Sequence, residues 1–437
     1  MTTIDPALEA QLAATTDARH ASLLEFLRIP SISALSEHAP DIRRAAEWIE
    51  AEVTRIGFEH AEVSETPWHP IVYADWLHAD GAPTVVVYCH YDVQPVDPID
   101  LWETAPFDPF IRNGRIVGRG SADDKGQLHM HLRAAEALFA IRGTLPVNIR
   151  LVFEGEEEST SASLPGWLES NRARLGADAV VISDTGFFEG NIPAITETLR
   201  GMLYTQIDVT GTPTDLHSGS FGGAVENPAN ALAQIIAGLK DRDGRVQVPG
   251  FYDEVIMLDE AAKGRLADLP FDPEVFRAQT ESGPLQGEKG YSVLERKWTR
   301  PTLDVNGIWG GFQGEGSKTI IPAHAHAKVS MRLVADQDPE VLFPKFVGFV
   351  EALCPPGVTV AVQMLGGGKP VRTPIDHPIA QAAALALEAT FGREPVFIGA
   401  GGSIPVAEMF EHQLGLPVIL MGFSNPDDHA HAPNESM

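Results

Sequence analysis

The feature that most constrains the fold is the alternation of short apolar runs with amphipathic segments over the first 200 or so residues. Four runs have the length and composition of strands, namely IVYADW, TVVVYCH, VNIRLVFE and ADAVVIS. Segments with apolar residues at three- and four-residue spacing surround them, at residues 6–28, 40–56, 124–141 and 163–173. This rhythm predicts an α/β domain with a mixed or parallel sheet and helices covering its faces.

The middle of the chain has a different character. It contains the strand-like runs MLYTQIDVTGT and HAHAKVSMRLV, helical segments at 228–239 and 339–353, and a region rich in proline and glycine at 281–318. Because the first rhythm resumes after this part, we expect an α+β domain inserted into the α/β domain. The predicted boundaries are 1–196 and 373–437 for the two parts of the α/β domain, and 197–372 for the insertion.

Composition limits the classes of function. With 60 acidic and 32 basic residues in 437, the formal charge is −28, which argues against nucleic acid or an anionic membrane surface as the main partner. No basic and apolar leader and no run near 18 apolar residues is present, so a cytoplasmic location is expected. Cys89 and Cys354 are expected to be buried free thiols. Any metal must therefore be held by histidines and carboxylates.

Titratable residues stand where the predicted strands end. His90 closes TVVVYCH, and Asp92 follows two residues later. Glu156–Glu158 follow VNIRLVFE, and Asp184 follows ADAVVIS. Sheets of this class bind ligands at the carboxyl ends of their strands. A histidine beside a carboxylate suits a metal ligand held by its own hydrogen-bond partner, although a purely structural pair explains the same two residues.

Two further stretches add to this set. GRGSADDKGQ places Asp123 and Asp124 before a helix, and DDHAHAPNE near the end of the chain contains His429 and His431. Either aspartate could instead cap the helix, and the three glutamates could form a solvated turn. Considered jointly, two histidines and three or more carboxylates suit a pair of zinc-like ions with a bridging carboxylate.

The motifs HYDVQP, GRGSADDKG, GEEES, VVISD, DLHSG and HAPNE, in this order, resemble the co-catalytic metallopeptidase family of aminoacylase, glutamate carboxypeptidase and carnosinase. Through WETAPFDPF, TIIPAHAHAKVSMRLV and GAGGSIPV, the resemblance is greatest to the carnosinase-like cytosolic nonspecific dipeptidase branch. It implies a zinc-peptidase-like catalytic domain, with helices on both faces of a mixed sheet, and an inserted ferredoxin-like domain for dimerisation and as a lid. The family usually continues past its last motif with a helix, so an incomplete C-terminal edge is expected after Met437.

The resemblance also implies a role for each residue of the set. Two divalent ions, zinc first with manganese or cobalt as alternatives, would be bound by His90, Asp123, Glu158, Asp184 and His431. Asp123 would bridge the ions. His90 and Asp184 would complete one site, and Glu158 and His431 the other. Glu157 would be the general base, and Asp92 would hold His90 from behind. In the family, the peptide bond after the bridging aspartate is cis.

Four more residues would contact the substrate. In a homodimer, His217 would reach into the partner subunit's site and stabilise the oxyanion. Arg332 would bind the substrate carboxylate, with Thr319 and Ser403 as weaker contacts. The remaining histidines of these motifs are expected to be structural or exposed: His324, His326 and His429.

The expected function is hydrolysis of dipeptides that have a free C-terminal carboxylate, by a metal-bridged hydroxide with Glu157 as the base. The expected partners are a small peptide substrate and a second copy of the chain. An N-acyl amino-acid deacylase would use the same metal chemistry and is the alternative. A non-catalytic binding protein would be indicated by loss of Glu157 or of two metal ligands, and none of these residues is lost.

Overall fold

The computed structural model describes residues 4–373 and 375–437. The helices of this part of the chain are α1 (Pro6–Ala14), α2 (Thr16–Leu27), α3 (Ala39–Ile56), α4 (Lys125–Arg142), α5 (Leu164–Asn171), α6 (Ser218–Phe221), α7 (Pro228–Leu239), α8 (Glu260–Ala267), α9 (Pro273–Gln279), α10 (Val293–Trp298), α11 (Pro339–Leu353), α12 (Pro378–Phe391) and α13 (Pro405–Met409). None of the helices described has the length and apolar character needed to cross a bilayer.

The strands are β1 (Glu59–Ser64), β2 (Ile71–Trp76), β3 (Thr84–His90), β4 (Phe110–Arg112), β5 (Arg115–Val117), β6 (Asn148–Glu154), β7 (Ala179–Ile182), β8 (Ala194–Leu199), β9 (Gly201–Thr210), β10 (Leu216–His217), β11 (Thr302–Gly310), β12 (Ile320–Ile321), β13 (His324–Leu333), β14 (Thr359–Gly368), β15 (Val371–Arg372), β16 (Val396–Ala400) and β17 (Val418–Leu420).

The chain divides into two compact units. The first comprises residues up to Glu197, Thr373–Ile398 and Ile404–Met437, and the second comprises Thr198–Arg372 and Gly399–Ser403. The boundaries predicted from the sequence lie after residues 196 and 372. The short segment that contains Ser403 is grouped with the second unit, whereas the prediction assigned it to the first domain.

The first unit is built on a mixed sheet, as predicted. Its strand order includes β1-β2-β6-β3-β7-β17-β8, and β16 also pairs with β8. The central strands β6, β3, β7 and β17 are parallel to one another, whereas β1, β2 and β8 are paired antiparallel to their neighbours. Strands buried on both faces need continuous apolar sequence, which explains the runs that the central strands contain.

Helices cover both faces of this sheet. On one face, α3 and α4 share a core with β2, β3 and β6. Successive side chains of a strand point to opposite faces, so Tyr73 and Tyr88 belong to the other face. There the ring of Tyr73 lies 6.5 Å from that of Trp167 in α5, and the ring of Tyr88 lies 5.6 Å from that of Phe410. The predicted covering of the sheet on both faces is confirmed.

The second unit has a four-stranded antiparallel sheet in the order β11-β13-β9-β14. Helices α7 and α11 share one core with the sheet, formed by alternate residues of β9 and β13. The chain order β9, α7, β11, β13, α11, β14 with this strand order is the ferredoxin-like arrangement.

Some predicted elements differ from those of the structure. The predicted helix at 6–28 is two helices, because the hydroxyls of Thr15 and Thr16 hydrogen-bond to carbonyls of the preceding turn. The predicted loop at 281–318 contains α10 and β11. A bulge between Val305 and Gly307 breaks the alternation that would have identified β11 as a strand. Cys89 is buried as expected, but Cys354 is only half-buried.

Candidate metal centre

Six predicted side chains meet at one edge of the first unit's sheet. The carboxyl ends of parallel strands lie at the same edge, so residues that follow β3, β6, β7 and β17 converge there. The six are His90 at the end of β3, Glu157 and Glu158 in the short turn after β6, Asp184 after β7, Asp123 in the loop before α4, and His431 in the segment after β17. Their roles are still predictions, but the structure brings all of them together.

The carboxylate of Asp123 lies between two histidines. Its Oδ1 is 3.0 Å from Nε2 of His90, and its Oδ2 is 2.8 Å from Nε2 of His431. The six residues form two groups of three, and within each group the ligand atoms lie within 4.8 Å of one another: His90, Glu157 and Asp184 in one, Asp123, Glu158 and His431 in the other. One carboxylate oxygen directed to each histidine is the arrangement that the predicted bridging role of Asp123 would require.

The donor set fits divalent cations. Imidazole nitrogens and carboxylate oxygens are ligands that zinc uses in proteins. Burial raises the pKa of Asp184 well above its ordinary value, and the negative charge of Asp123 raises it further. Hydrogen bonding to Asp123 and Glu158 raises the pKa of His431 to about 10, because these carboxylates favour positive charge beside its Nε2. Buried carboxylates in this number need cations to offset their desolvation.

Asp92 is fully buried and holds both the histidine and the glutamate turn. The Nδ1 atom of His90 lies 3.1 Å from the backbone oxygen of Asp92 and 3.4 Å from its Oδ1. The Asp92 carboxylate also accepts hydrogen bonds from the backbone N–H groups of Glu157 and Glu158, at 3.2 and 3.0 Å. Because Nδ1 is occupied, Nε2 of His90 is left to face the metal centre.

The three consecutive glutamates have different surroundings. Glu156 is buried, and its carboxylate accepts hydrogen bonds from the backbone N–H groups of His69 and Ser163, at 2.7 and 2.9 Å. The carboxylate of Glu156 therefore stabilises the backbone of the fold. Glu157 and Glu158 belong to the two groups of potential ligands instead. The solvated turn considered for these acids is wrong, since all three side chains are at least partly buried.

Asp124 has no capping role. It occupies the N-cap position of α4, but its side chain makes no capping hydrogen bond. One carboxylate oxygen accepts a hydrogen bond from the backbone N–H of His90 at 3.2 Å, and burial raises the pKa of Asp124 to about 8. The peptide bond between Asp123 and Asp124 is cis, as the resemblance implied.

Sequence reasoning missed Glu435, which fixes the loop that carries Asp123. One carboxylate oxygen accepts hydrogen bonds from Nη1 of Arg119 at 2.7 Å and from the backbone N–H of Gly120 at 3.0 Å. The other accepts from the backbone N–H groups of Ala122 and Asp123, at 2.9 and 3.0 Å. The available signal was that Glu435 ends the HAPNE motif and Arg119 belongs to GRGSADDKG.

Gln94 was also missed, although it lies in the HYDVQP motif. Its Nε2 donates a hydrogen bond to Oε2 of Glu158 at 2.7 Å. Only one carboxylate oxygen of Glu158 is then left to face His431, at 3.1 Å from its Nε2. Gln94 therefore orients Glu158 within its group.

The second unit contains the four predicted substrate contacts. The Nδ1 atom of His217 accepts hydrogen bonds from the backbone N–H groups of Gly219 and Ser220, at 3.1 and 3.3 Å. This bonding indicates the tautomer with its proton on Nε2, so the exposed imidazole presents a donor. The adjacent backbone N–H of Ser218 donates to the backbone oxygen of Thr319 at 3.1 Å, which brings Thr319 near His217.

Arg332 and Ser403 are also brought together. Nη1 of Arg332 donates a hydrogen bond to Oγ of Ser403 at 3.1 Å. Among the other histidines, His326 pairs with Asp208 at 2.6 Å, whereas His324 and His429 are exposed. These positions agree with the structural or exposed roles expected for the three.

Comparison with known proteins identifies the family. The model of peptidase family M20/M25/M40 matches residues 86–437. The Cys-Gly metallodipeptidase dug1 of Schizosaccharomyces pombe is 33% identical over 439 residues, which cover 95% of this chain and 90% of that protein. Human carnosine dipeptidase 1 has a TM-score of 0.80 at 30% identity, covering 99% of this chain and 95% of its own.

The metallo-carboxypeptidase Sso-CP2 of Sulfolobus solfataricus, also of the M20 family, has a TM-score of 0.84 at 35% identity and covers 96% of this chain and 94% of its own. The family match spans most of the chain, and the relatives share its fold over nearly their full length. The protein therefore belongs to peptidase family M20/M25/M40, in the carnosinase-like branch, and is a metallopeptidase.

Proposed function

We propose that this protein is a dipeptidase that hydrolyses dipeptides with a free C-terminal carboxylate. Its two divalent ions would be held by His90, Asp123, Glu158, Asp184 and His431. The observation that carries the proposal is the carboxylate of Asp123, whose two oxygens face different histidines at 3.0 and 2.8 Å. The substrate class is supported by the relatives, two of which are named as dipeptidases.

Two bound ions, zinc first with manganese or cobalt as alternatives, would lower the pKa of a water molecule toward 7 and polarise the scissile carbonyl. Glu157 takes the proton of the attacking water and returns it to the leaving amine. Burial raises the pKa of Glu157 to about 7, which suits a group that both accepts and donates a proton near neutral pH. Asp92 keeps the backbone of Glu157 in place through the hydrogen bond described above.

Arg332 would bind the C-terminal carboxylate of the substrate, with Ser403 beside it and Thr319 as a further contact. A guanidinium can hold a carboxylate through two parallel hydrogen bonds. Arg332 forms no ion pair with an acidic side chain in the described part of the chain, so an external anion is a fitting partner. A fixed distance from this arginine to the scissile carbonyl would favour dipeptides over longer peptides.

His217 would act across a homodimer. Its Nε2–H would donate a hydrogen bond to the substrate's carbonyl oxygen in the partner subunit's site and stabilise the developing oxyanion. The dimer is supported by β11, an edge strand of the second unit's sheet, where Val305 and Ile308 are exposed. An edge strand with exposed apolar side chains is a surface that proteins usually cover.

The test compares four substrates on the metal-loaded enzyme: a dipeptide, its C-terminal amide, the corresponding tripeptide, and an N-acetyl amino acid. We expect the dipeptide to be cleaved fastest, and chelation to abolish activity until metal is restored. Loss of the charge-assisted contact should lower kcat/KM for the amide by about ten- to a hundredfold.

Arg332→Met should lower kcat/KM for the dipeptide by a similar factor and change the amide little. Lys328→Met, which removes another cation of β13, is the matched control and should behave as the wild type. Faster cleavage of the acetyl compound would favour a deacylase, and faster cleavage of the tripeptide a carboxypeptidase. An amide cleaved as well as the free acid would exclude carboxylate binding by Arg332.

A further inference from the structure

A second arginine of the second unit lies against the same short segment as Arg332. Arg200 stands between β8 and β9, and its Nε donates a hydrogen bond to the backbone oxygen of Gly401 at 2.9 Å. Its backbone oxygen accepts a hydrogen bond from Oγ of Ser403 at 2.5 Å. The same Oγ accepts the hydrogen bond from Nη1 of Arg332 at 3.1 Å. Ser403 therefore links the two arginines.

The two positive charges have no counter-ion of their own. Over the described residues, neither guanidinium forms an ion pair with an acidic side chain. Burial and, to a smaller extent, the charge of Arg332 lower the pKa of Arg200 to about 10. The acid that offsets this effect is Asp304, which is mostly exposed and lies 3.8 Å from Nζ of Lys240. Two neighbouring, partly buried cations are unfavourable unless an anion joins them.

Both guanidiniums have N–H donors that form no hydrogen bond among the described residues. Arg200 uses Nε and Arg332 uses Nη1 in the hydrogen bonds that the structure shows, and their other nitrogens are not sealed away from solvent. A Cβ added at Gly401 would lie 3.2 Å from Nη2 of Arg200, so the glycine keeps the space beside this guanidinium open. A carboxylate has about four acceptor positions, which is enough for donors from both side chains.

We propose that Arg200 is a second carboxylate-binding residue, which shares the C-terminal carboxylate of the substrate with Arg332. This inference rests on the proposed dipeptidase function and deepens it. The bound carboxylate offsets the repulsion between the two guanidiniums. Ser403 holds the backbone of Arg200 and the side chain of Arg332 at a fixed spacing. Selectivity for a free C-terminus then depends on two arginines rather than one.

The test is a thermodynamic cycle in which Arg200 and the terminal group of the substrate are changed separately and together. The metal-loaded wild type and Arg200→Met are assayed on a dipeptide and on its C-terminal amide. If Arg200 binds the carboxylate, the substitution lowers kcat/KM for the acid at least about tenfold, mainly through KM, and changes the amide less than about twofold. Arg200→Lys keeps the positive charge but not the planar guanidinium, and should recover part of the loss in kcat/KM. If Arg200→Met folds poorly, the comparison of acid and amide is made with Arg200→Lys instead.

Inhibition by simple compounds gives a second measurement. Arg200→Met should raise the inhibition constant of butyrate several-fold and leave that of butyramide unchanged. Equal losses on the acid and the amide would mean that Arg200 only supports the segment Gly399–Ser403, and would overturn the proposal. A loss confined to dipeptides ending in aspartate or glutamate would assign Arg200 to the side chain and overturn it as well. A wild type that cleaves no dipeptide would instead contradict the proposed function, and this inference with it.

Discussion

Two adjacent carboxylates in the turn after β6 have different hydrogen-bond partners, and this separates their predicted roles. Glu158 accepts a hydrogen bond from Gln94 at 2.7 Å and faces His431 at 3.1 Å. Glu157 is held through its backbone N–H by Asp92, while no hydrogen bond from a described residue restrains its carboxylate. A ligand benefits from being oriented, whereas a general base must exchange its proton.

We therefore expect Glu157→Gln and Glu158→Gln to fail in different ways. Glu157→Gln should keep both metal ions and lower kcat by at least about a hundredfold, because the general base is lost. Glu158→Gln, the matched isosteric change, should weaken metal binding. Metal content after gel filtration, measured beside kcat at saturating metal, checks both. Exchange of the two phenotypes would mean that the assignment is off by one residue.

At the scale of residues, the sequence could identify the ligand candidates because each follows an apolar strand or lies in a recognisable motif. It could not assign Glu435, since the four hydrogen bonds of that carboxylate go to a loop that precedes it by more than 300 residues. A buried pair such as Arg119 and Glu435 becomes apparent only when the chain's two ends are seen together. The same holds for Arg200, whose significance comes from its contact with Ser403.

Among the elements, α4 is notable for two histidines, of which His129 is buried and His131 is half-buried. Nε2 of His129 lies 3.2 Å from Oγ of Ser22, and Nε2 of His131 lies 2.7 Å from Oγ of Ser183. Ser183 donates its own proton to the backbone oxygen of Met421, so it accepts from His131. Burial lowers the pKa of His131 to about 4 and that of His129 to about 3. Both histidines are therefore neutral in the folded protein at neutral pH.

These depressed pKa values predict sensitivity to acid. The ordinary pKa of 6.5 applies to the unfolded chain, which therefore binds more protons than the folded chain between pH 6.5 and about 4. Stability is complete above this window and falls as the pH decreases through it. For His131, the separation between the pKa of 6.5 and that of about 4 corresponds to at most roughly 3.4 kcal/mol of unfolding free energy.

Urea unfolding of the metal-free protein between pH 7.5 and 4.5 measures this effect. His131→Gln should show a smaller loss of unfolding free energy toward acid than the wild type, because glutamine does not titrate. The exposed His78 offers a matched control, and His78→Gln should keep the pH dependence of the wild type. Identical slopes for all three proteins would contradict the assignment to His131.

At the scale of elements, the sequence predicted strongly amphipathic helices and continuous apolar strands well, as for α3 and β3. It was least informative for β11, where a bulge and exposed positions disturb the period of two. Such an edge strand is defined by its pairing with β13, a long-range contact that periodicity does not encode. The interruption after α1 depends on the side-chain hydrogen bonds of Thr15 and Thr16. The spacing of apolar residues does not predict such bonds.

For the whole molecule, the division into two units separates the predicted metal ligands from the predicted substrate contacts. All five ligand candidates and Glu157 belong to the first unit, while His217 and Arg332 belong to the second. The sequence of one chain does not show whether His217 acts at the metal centre of its own subunit or at that of the partner subunit. That part of the prediction comes from the family resemblance alone, and only an experiment on the assembled protein tests it.

Mixed dimers distinguish the two possibilities. Chains carrying His217→Ala and chains carrying Glu157→Gln should each be nearly inactive alone. If His217 acts on the partner subunit's site, a dimer of one chain of each kind has one site with both defects and one with neither. Random reassociation makes about half of the dimers mixed, so about a quarter of the wild-type activity should return.

The recovery should require exchange of subunits and should be absent when the two variants are mixed without prior dissociation. His324→Ala changes another exposed histidine of the second unit and should be active without a partner variant. If His217 acts within its own chain, every site of a mixed dimer keeps one defect, and no activity returns. A wild type that is fully active as a monomer in sizing experiments would contradict the shared site directly.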